Sequence, residues 1–263
     1  MPFQDSISQS GAPSPAAPGS WPAKLRTSAP VPAGASAALA VLLYASSLDN
    51  PFVYDDFRLI VENPSIQNLS GVLTVLARDV TRPVVGISYA VDTAIWATGP
   101  FGYHLTNVLL HALNVVLAYW VAFCAADDWR RRSRLVPSPI VVATVTSVLT
   151  AAHPVMTQAV GYITARSELL YGTFFLASLL AARQWMRMGG WWRQAAIGLW
   201  IVSLLAKEAA AMLPVVLWCY DAWLMDGDRE ARRRRVKGLY LPLLATVLVF
   251  AGARLTLLAV EYP

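Results

Sequence analysis

The chain has 263 residues, 56% of them hydrophobic and only 14% charged, with a formal net charge of +5. Soluble domains carry about 25% charged residues, so an ordinary water-facing globule is excluded and lipid is the natural solvent for the excess apolar surface. The basic balance does not point to nucleic acid, because the cations sit in short clusters between apolar runs, which is a membrane-topology pattern.

Residues 1–31 are rich in Pro, Ser, Ala and Gly and lack apolar periodicity, so they read as a disordered tail. The rest, 32–263, reads as one helical membrane module. A first span is expected over Ala33–Ser46, preferred to a cleaved signal peptide because a long tail precedes it. A polar loop of about 48–102 follows, with amphipathic stretches at Leu69–Ala77 and Pro83–Trp96 that suit helices lying in the interface. Trp96, Phe101 and Tyr103 suit headgroup level. Further spans are expected at Tyr103–Ala125, Ile140–Ala152, Arg166–Ala182, Ala195–Ala206, Ala209–Met225 and Leu239–Val260. The fold class is therefore all-α, a polytopic membrane protein with about seven transmembrane helices.

With the tail cytoplasmic, the loops 127–134, 183–193 and 226–237 are cytoplasmic too, and they hold thirteen of the 21 Lys and Arg residues. This agrees with the positive-inside rule. The loops around Asp55, His153 and Lys207 then face the other side.

That second side holds the chemistry. Asp55 and Asp56 follow the first span directly. They read as a solvated acidic turn, as a general base with a raised pKa, or as a cation site. Lys207-Glu208 interrupts a long apolar run, and Arg166 with Glu168 opens the fourth span. Charges at such depth mark either a helix end at the interface or a site. Arg254, inside the last span, either snorkels or meets an anionic group. His104 and His111 share a helix face, but with no third ligand nearby they and His153 read as structural hydrogen-bonding groups. Cys124 and Cys219 read as small buried hydrophobes, and no spacing suggests a metal site.

Taken in order, several segments resemble one known family. They are Pro51-Phe52-Val53-Tyr54-Asp55-Asp56 with Asn63-Pro64, Arg82-Pro83 with Ser88-Tyr89-Ala90, and Gly102-Tyr103-His104-Leu105-Thr106-Asn107 with His111 and Asn114. The series continues with His153-Pro154-Val155, Gly161-Tyr162-Ile163, Arg166-Ser167-Glu168 and Ala206-Lys207-Glu208 with Pro214 and Asp221. The combination resembles the membrane half of the transmembrane and tetratricopeptide-repeat-containing O-mannosyltransferases, of the GT-C glycosyltransferase superfamily, over about residues 48–225. The resemblance implies an inverting transfer of a sugar, typically mannose, from a polyprenyl phosphate to a Ser or Thr hydroxyl of an acceptor protein on the lumenal or periplasmic side. It puts Asp55 and Asp56 at the catalytic position. Arg166, Lys207 and Arg254 then compensate the lipid phosphate, with Arg58, Arg82, His104, His153, Glu168 and Glu208 completing the substrate-binding set. It implies no cofactor beyond the donor lipid, and it disfavours a divalent metal. Family members usually continue into more helices and 34-residue repeats, so the chain is expected to hold the N-terminal membrane half only, with the remainder possible on another chain. The membrane is either a bacterial inner membrane or the endoplasmic reticulum. The rival readings are a non-catalytic lipid-binding or assembly relative and a transporter; the latter is weakened by the lack of an internal repeat.

Overall fold

A computed structural model describes residues 29–66, 82–133 and 137–261, with side chains to residue 256. The expected tail up to residue 28 and the stretch Leu69–Ala77 lie outside the described residues.

Prolines punctuate the fold. Pro30, Pro83, Pro100, Pro139 and Pro214 each sit in the first turn of a helix, where a missing N–H costs nothing and a fixed φ helps. The helices are α1 (Pro30–Tyr44), α2 (Pro83–Trp96), α3 (Pro100–Arg132), α4 (Pro139–Ala152), the short α5 (Met156–Gly161), α6 (Arg166–Met188), α7 (Trp192–Ala206), α8 (Leu213–Leu224), α9 (Arg229–Arg235) and α10 (Leu241–Glu261). Among the described residues there is no strand. Pro30 and Val31 are already helical, so the first helix starts before the expected tail boundary.

Among the described residues, three helical stretches are long and apolar enough to cross a membrane: Pro30–Asp49, Pro100–Arg132 and Arg229–Thr256. α4 and α7 are shorter apolar helices. The protein is thus an all-helical membrane protein.

Small residues let the helices approach. Ala33, Ala40, Ala112, Ala143 and Ala151 are buried where α1, α3 and α4 meet, and Ser36 and Ser147 share a buried hydrogen bond of 2.8 Å between α1 and α4. Close backbone contact and side-chain hydrogen bonds are the usual glue where lipid removes the hydrophobic drive. α6 and α7 form a hairpin turned by Gly189 and Gly190, both with φ above +70°, a region that favours glycine. Ser178 donates to the Ala196 carbonyl at 2.7 Å across that hairpin. The main core lies beside it, around Trp185, Trp200, Leu204, Leu213 and Leu217. The Trp200 indole N–H reaches the Ala210 carbonyl at 2.7 Å, which ties α7 to the turn after Lys207.

Two helices run further than their composition suggests. α3 continues through Asp127 and Asp128 to Arg132, and α6 continues through Arg183 and Arg187. Tyr103, expected at headgroup level, is fully buried, and its hydroxyl bonds Thr93 at 2.7 Å and the Ala97 carbonyl at 3.0 Å.

Candidate active site at the Asp56 end

The segment after α1 is drawn tight before it reaches the paired acids. Ala45–Asp49 is a 3-10 turn, and Tyr54 adopts a left-handed φ of 47° although it has a side chain. That strain is of order 1–3 kcal/mol and persists only where surroundings enforce it. The enforcing group is Asp56. Its carboxylate is fully buried and accepts from the Val53 amide at 3.0 Å and from the Thr164 amide at 3.1 Å. One oxygen therefore closes its own loop, and the other pins that loop to the turn preceding α6. Burial pushes the Asp56 carboxyl above its ordinary value, and the two amide bonds and the charge of His104 only partly offset this.

Asp55 has the opposite setting. Its side chain is exposed, while its amide donates to the Tyr162 hydroxyl at 3.3 Å. The two neighbours therefore separate into a positioning group and an accessible carboxylate. Arg58 is exposed one turn further on, within the wide turn Phe57–Val61.

Arg166 lies at the centre and is fully buried. Its guanidinium meets Asp92 at 2.6 Å, the Asn107 side-chain oxygen at 2.7 Å and the Tyr103 carbonyl at 2.9 Å, with Ser88 at 3.4 Å. It also lies over the Tyr89 ring, 4.8 Å from the centroid. These contacts engage the guanidinium within the protein, so Arg166 joins α2, α3 and α6. Asn107 extends the junction, since its amide nitrogen faces the carbonyls of Val160, Tyr162 and Ile163 at 3.3–3.5 Å. His104 is buried beside this junction, and His153 accepts from the Val155 amide at 3.2 Å.

The accessible cations lie next to this scaffold. Arg82 bonds Glu208 at 3.1 Å, and Arg254 of α10 approaches the other Glu208 oxygen at 3.6 Å. Lys207 pairs with Glu168, two residues after Arg166. All five side chains are partly exposed, from 22% at Lys207 to 45% at Glu208. Burial pushes the Glu208 carboxyl up, but its own backbone amide and the charges of Arg82 and Arg254 outweigh this and leave it below its ordinary value. Three cations thus face two carboxylates within reach of water. Among the described residues, no group of three His, Cys, Asp or Glu side chains is placed to hold a metal ion.

Sequence reasoning named the accessible cations. It missed the roles of Asp92, Asn107, Tyr162 and Thr164. All four stand within or beside the quoted segments, but only the fold shows which atoms they hold.

No family model and no solved structure matches the chain. Curated proteins do. A Caenorhabditis elegans protein O-mannosyl-transferase, F38B6.6, is 28% identical over 196 residues, covering 70% of this chain and 27% of that protein. Protein O-mannosyl-transferase Tmtc1 of Drosophila melanogaster is 31% identical over 192 residues, covering 68% and 21%. Human protein O-mannosyl-transferase TMTC2 is 26% identical over 250 residues, covering 84% and 28%. The aligned part is thus between a fifth and three tenths of each of these relatives. Over that part, the chain is TMTC-like, a relative of the protein O-mannosyl-transferases.

Proposed function

We propose that the chain supplies the reacting end of a membrane glycosyltransferase that moves a sugar, mannose by the naming of its relatives, from a polyprenyl phosphate to a Ser or Thr hydroxyl of an acceptor protein. In this reading the chain crosses the membrane about seven times with the segment before α1 on the cytoplasmic side, and the Asp56 end faces the lumen or periplasm. The supporting observation is the juxtaposition just described. An exposed carboxylate, Asp55, is held by a strained loop, and that loop is pinned through Asp56 and Thr164 to the helix that presents Glu168 to Lys207.

The chemistry follows from the arrangement. The acceptor oxygen attacks the anomeric carbon on the face opposite the phosphate, and its proton passes to the Asp55 carboxylate. The bond from the anomeric carbon to the phosphate oxygen breaks, its electron pair staying on the phosphate. Arg82, Lys207 and Arg254 compensate the charge that develops there. Asp56 and Arg166 act by position: the first holds the loop and the second holds three helices together.

The test is transfer of labelled mannose from dolichyl-phosphate mannose to a Ser/Thr-containing acceptor in proteoliposomes. Asp55→Asn is expected to lower it by about a hundredfold to ten-thousandfold, the usual contribution of a general base. Transfer at the unaltered rate rejects the assignment.

A further inference from the structure

At the opposite end of the bundle, α9 and the wide turn Val236–Tyr240 run directly into α10. The stretch Arg229–Thr256 is one of the three that can cross a membrane, so its first residues lie at headgroup depth. Six of the nine residues from Arg229 to Lys237 are cations.

These cations do not all do the same thing. Arg235 is buried against Asp221 at 2.9 Å, and Arg234 lies over the Trp185 ring with its centroid 5.9 Å away and reaches the Met186 carbonyl. Arg235 is thus engaged inward, and Arg234, although exposed, is engaged against α6. Arg229, Arg232, Arg233 and Lys237 are exposed, and together with Val236 and Leu241 they line an open cavity of about 510 Å³.

The nearby acids are directed elsewhere. Asp226 pairs with Arg132 at 2.9 Å, Asp228 caps α9 by accepting from the Ala231 amide at 2.8 Å, and neither these nor Glu230 lines the cavity. Trp223, 74% exposed in the last turn of α8, adds an indole of the kind that settles at the membrane interface.

We propose that this cavity is a binding site for one anionic glycerophospholipid. The phosphate sits among Arg229, Arg232, Arg233 and Lys237, and the start of an acyl chain lies on Val236 and Leu241. A four-cation rim answers the charge of the headgroup, and an apolar floor that leads into a spanning helix answers the lipid rather than a soluble phosphate. Arginine is suited to the task because its planar fork meets phosphate oxygens in pairs. The site needs only the membrane assignment, and it stands whether or not the other end transfers sugar.

The test uses the full chain purified in a nonionic detergent and mixed with dioleoyl phosphatidylglycerol, dioleoyl phosphatidylcholine or inorganic phosphate, with bound lipid read by native mass spectrometry. The unaltered chain is expected to retain phosphatidylglycerol at least about tenfold better than phosphatidylcholine, and millimolar inorganic phosphate is not expected to displace it. R232Q/R233Q/K237Q is expected to lose that preference, R232K/R233K to keep it within about threefold, and Arg193→Gln, exposed and outside the cavity, to leave it unchanged. Equal retention of the two lipids by the unaltered chain overturns the proposal without any variant. Displacement by inorganic phosphate also overturns it, in favour of a free-anion site. So does full retention by the triple variant.

Discussion

At one end of the bundle Asp128 is fully buried among Arg183, Arg187 and Tyr220; at the other, Glu208 stands half exposed between Arg82 and Arg254. The numbers of charges are similar and their uses differ. Asp128 takes two bonds from Arg183 at 2.6 and 2.7 Å and one from the Tyr220 hydroxyl at 2.6 Å, which locks α3, α6 and α8 together. Such a group has no capacity left for a ligand. Glu208 makes longer contacts in reach of water, and its partners can turn to something else. The Asp56 end contains both kinds, because the Asp92–Arg166 pair beneath the open cluster is as closed as the Asp128 hub. Burial and saturation, rather than the presence of charge, separate a strut from a site.

That distinction can be broken experimentally. The largest expected effect is on transfer, where Asp55→Asn removes the exposed carboxylate and Arg183→Met, at the far end, leaves the chemistry of the folded fraction unchanged. Next comes stability. Arg166→Met strands Asp92 in a buried position and is expected to cost about 3–5 kcal/mol, read as a lowered unfolding midpoint by tryptophan fluorescence in detergent. Arg183→Met is expected at the low end of that range, since Arg187 and Tyr220 remain on Asp128. If both variants unfold like the parent, the closed-strut reading fails. By contrast, Arg82→Gln and Arg254→Gln each remove one member of a solvated cluster. Each is expected to change stability by less than about 1 kcal/mol while raising the KM for the lipid donor.

The smallest effects are in pH dependence, and the two acids of the Asp56 end have opposite signs. The folded-state value of Asp56 is raised, so the folded chain binds its proton more readily than the unfolded chain does. Stability therefore falls as pH rises from the ordinary carboxylate range through the raised value. Glu208 is lowered, so its contribution is present above the ordinary value and lost as pH falls through the folded one. Asp56→Asn is expected to flatten the first slope and Glu208→Gln the second. The Glu208 contribution is also expected to shrink in high salt, because that carboxylate is half exposed. Unfolding midpoints across the acidic range in low and high salt check both.

Much of this was legible without coordinates. Apolar run lengths located the helices, and Pro83–Trp96 came out with the expected bounds. The accessible cations Lys207 and Arg254 were named, with Arg166, by side and charge, and Arg82 through the family resemblance. What sequence could not show was saturation. Arg166 reads as a charge facing a cavity until Asp92, 74 positions away, is seen to neutralise it. The same blindness cut α3 at Ala125 and α6 at Ala182. Asp128 and Arg183 look like loop residues when their neutralisation of one another is not visible. Asp56 was unreadable for a related reason, because its role depends on the Thr164 amide, 108 positions and four described helices later in the chain.

The long helix α3 has a consequence for depth. From Asn107 to Asp128 it climbs 21 residues, which at 1.5 Å each is about 31 Å. That is close to the thickness of a hydrocarbon core, about 30 Å. α6 repeats the interval on a shorter scale, with Arg166 and Arg183 about 26 Å apart along its axis. The two polar knots therefore behave like the jaws of a caliper closed on the bilayer. Sliding the molecule up or down drags one of them into oil, so the level at which Asp55 meets the water is set from both sides at once.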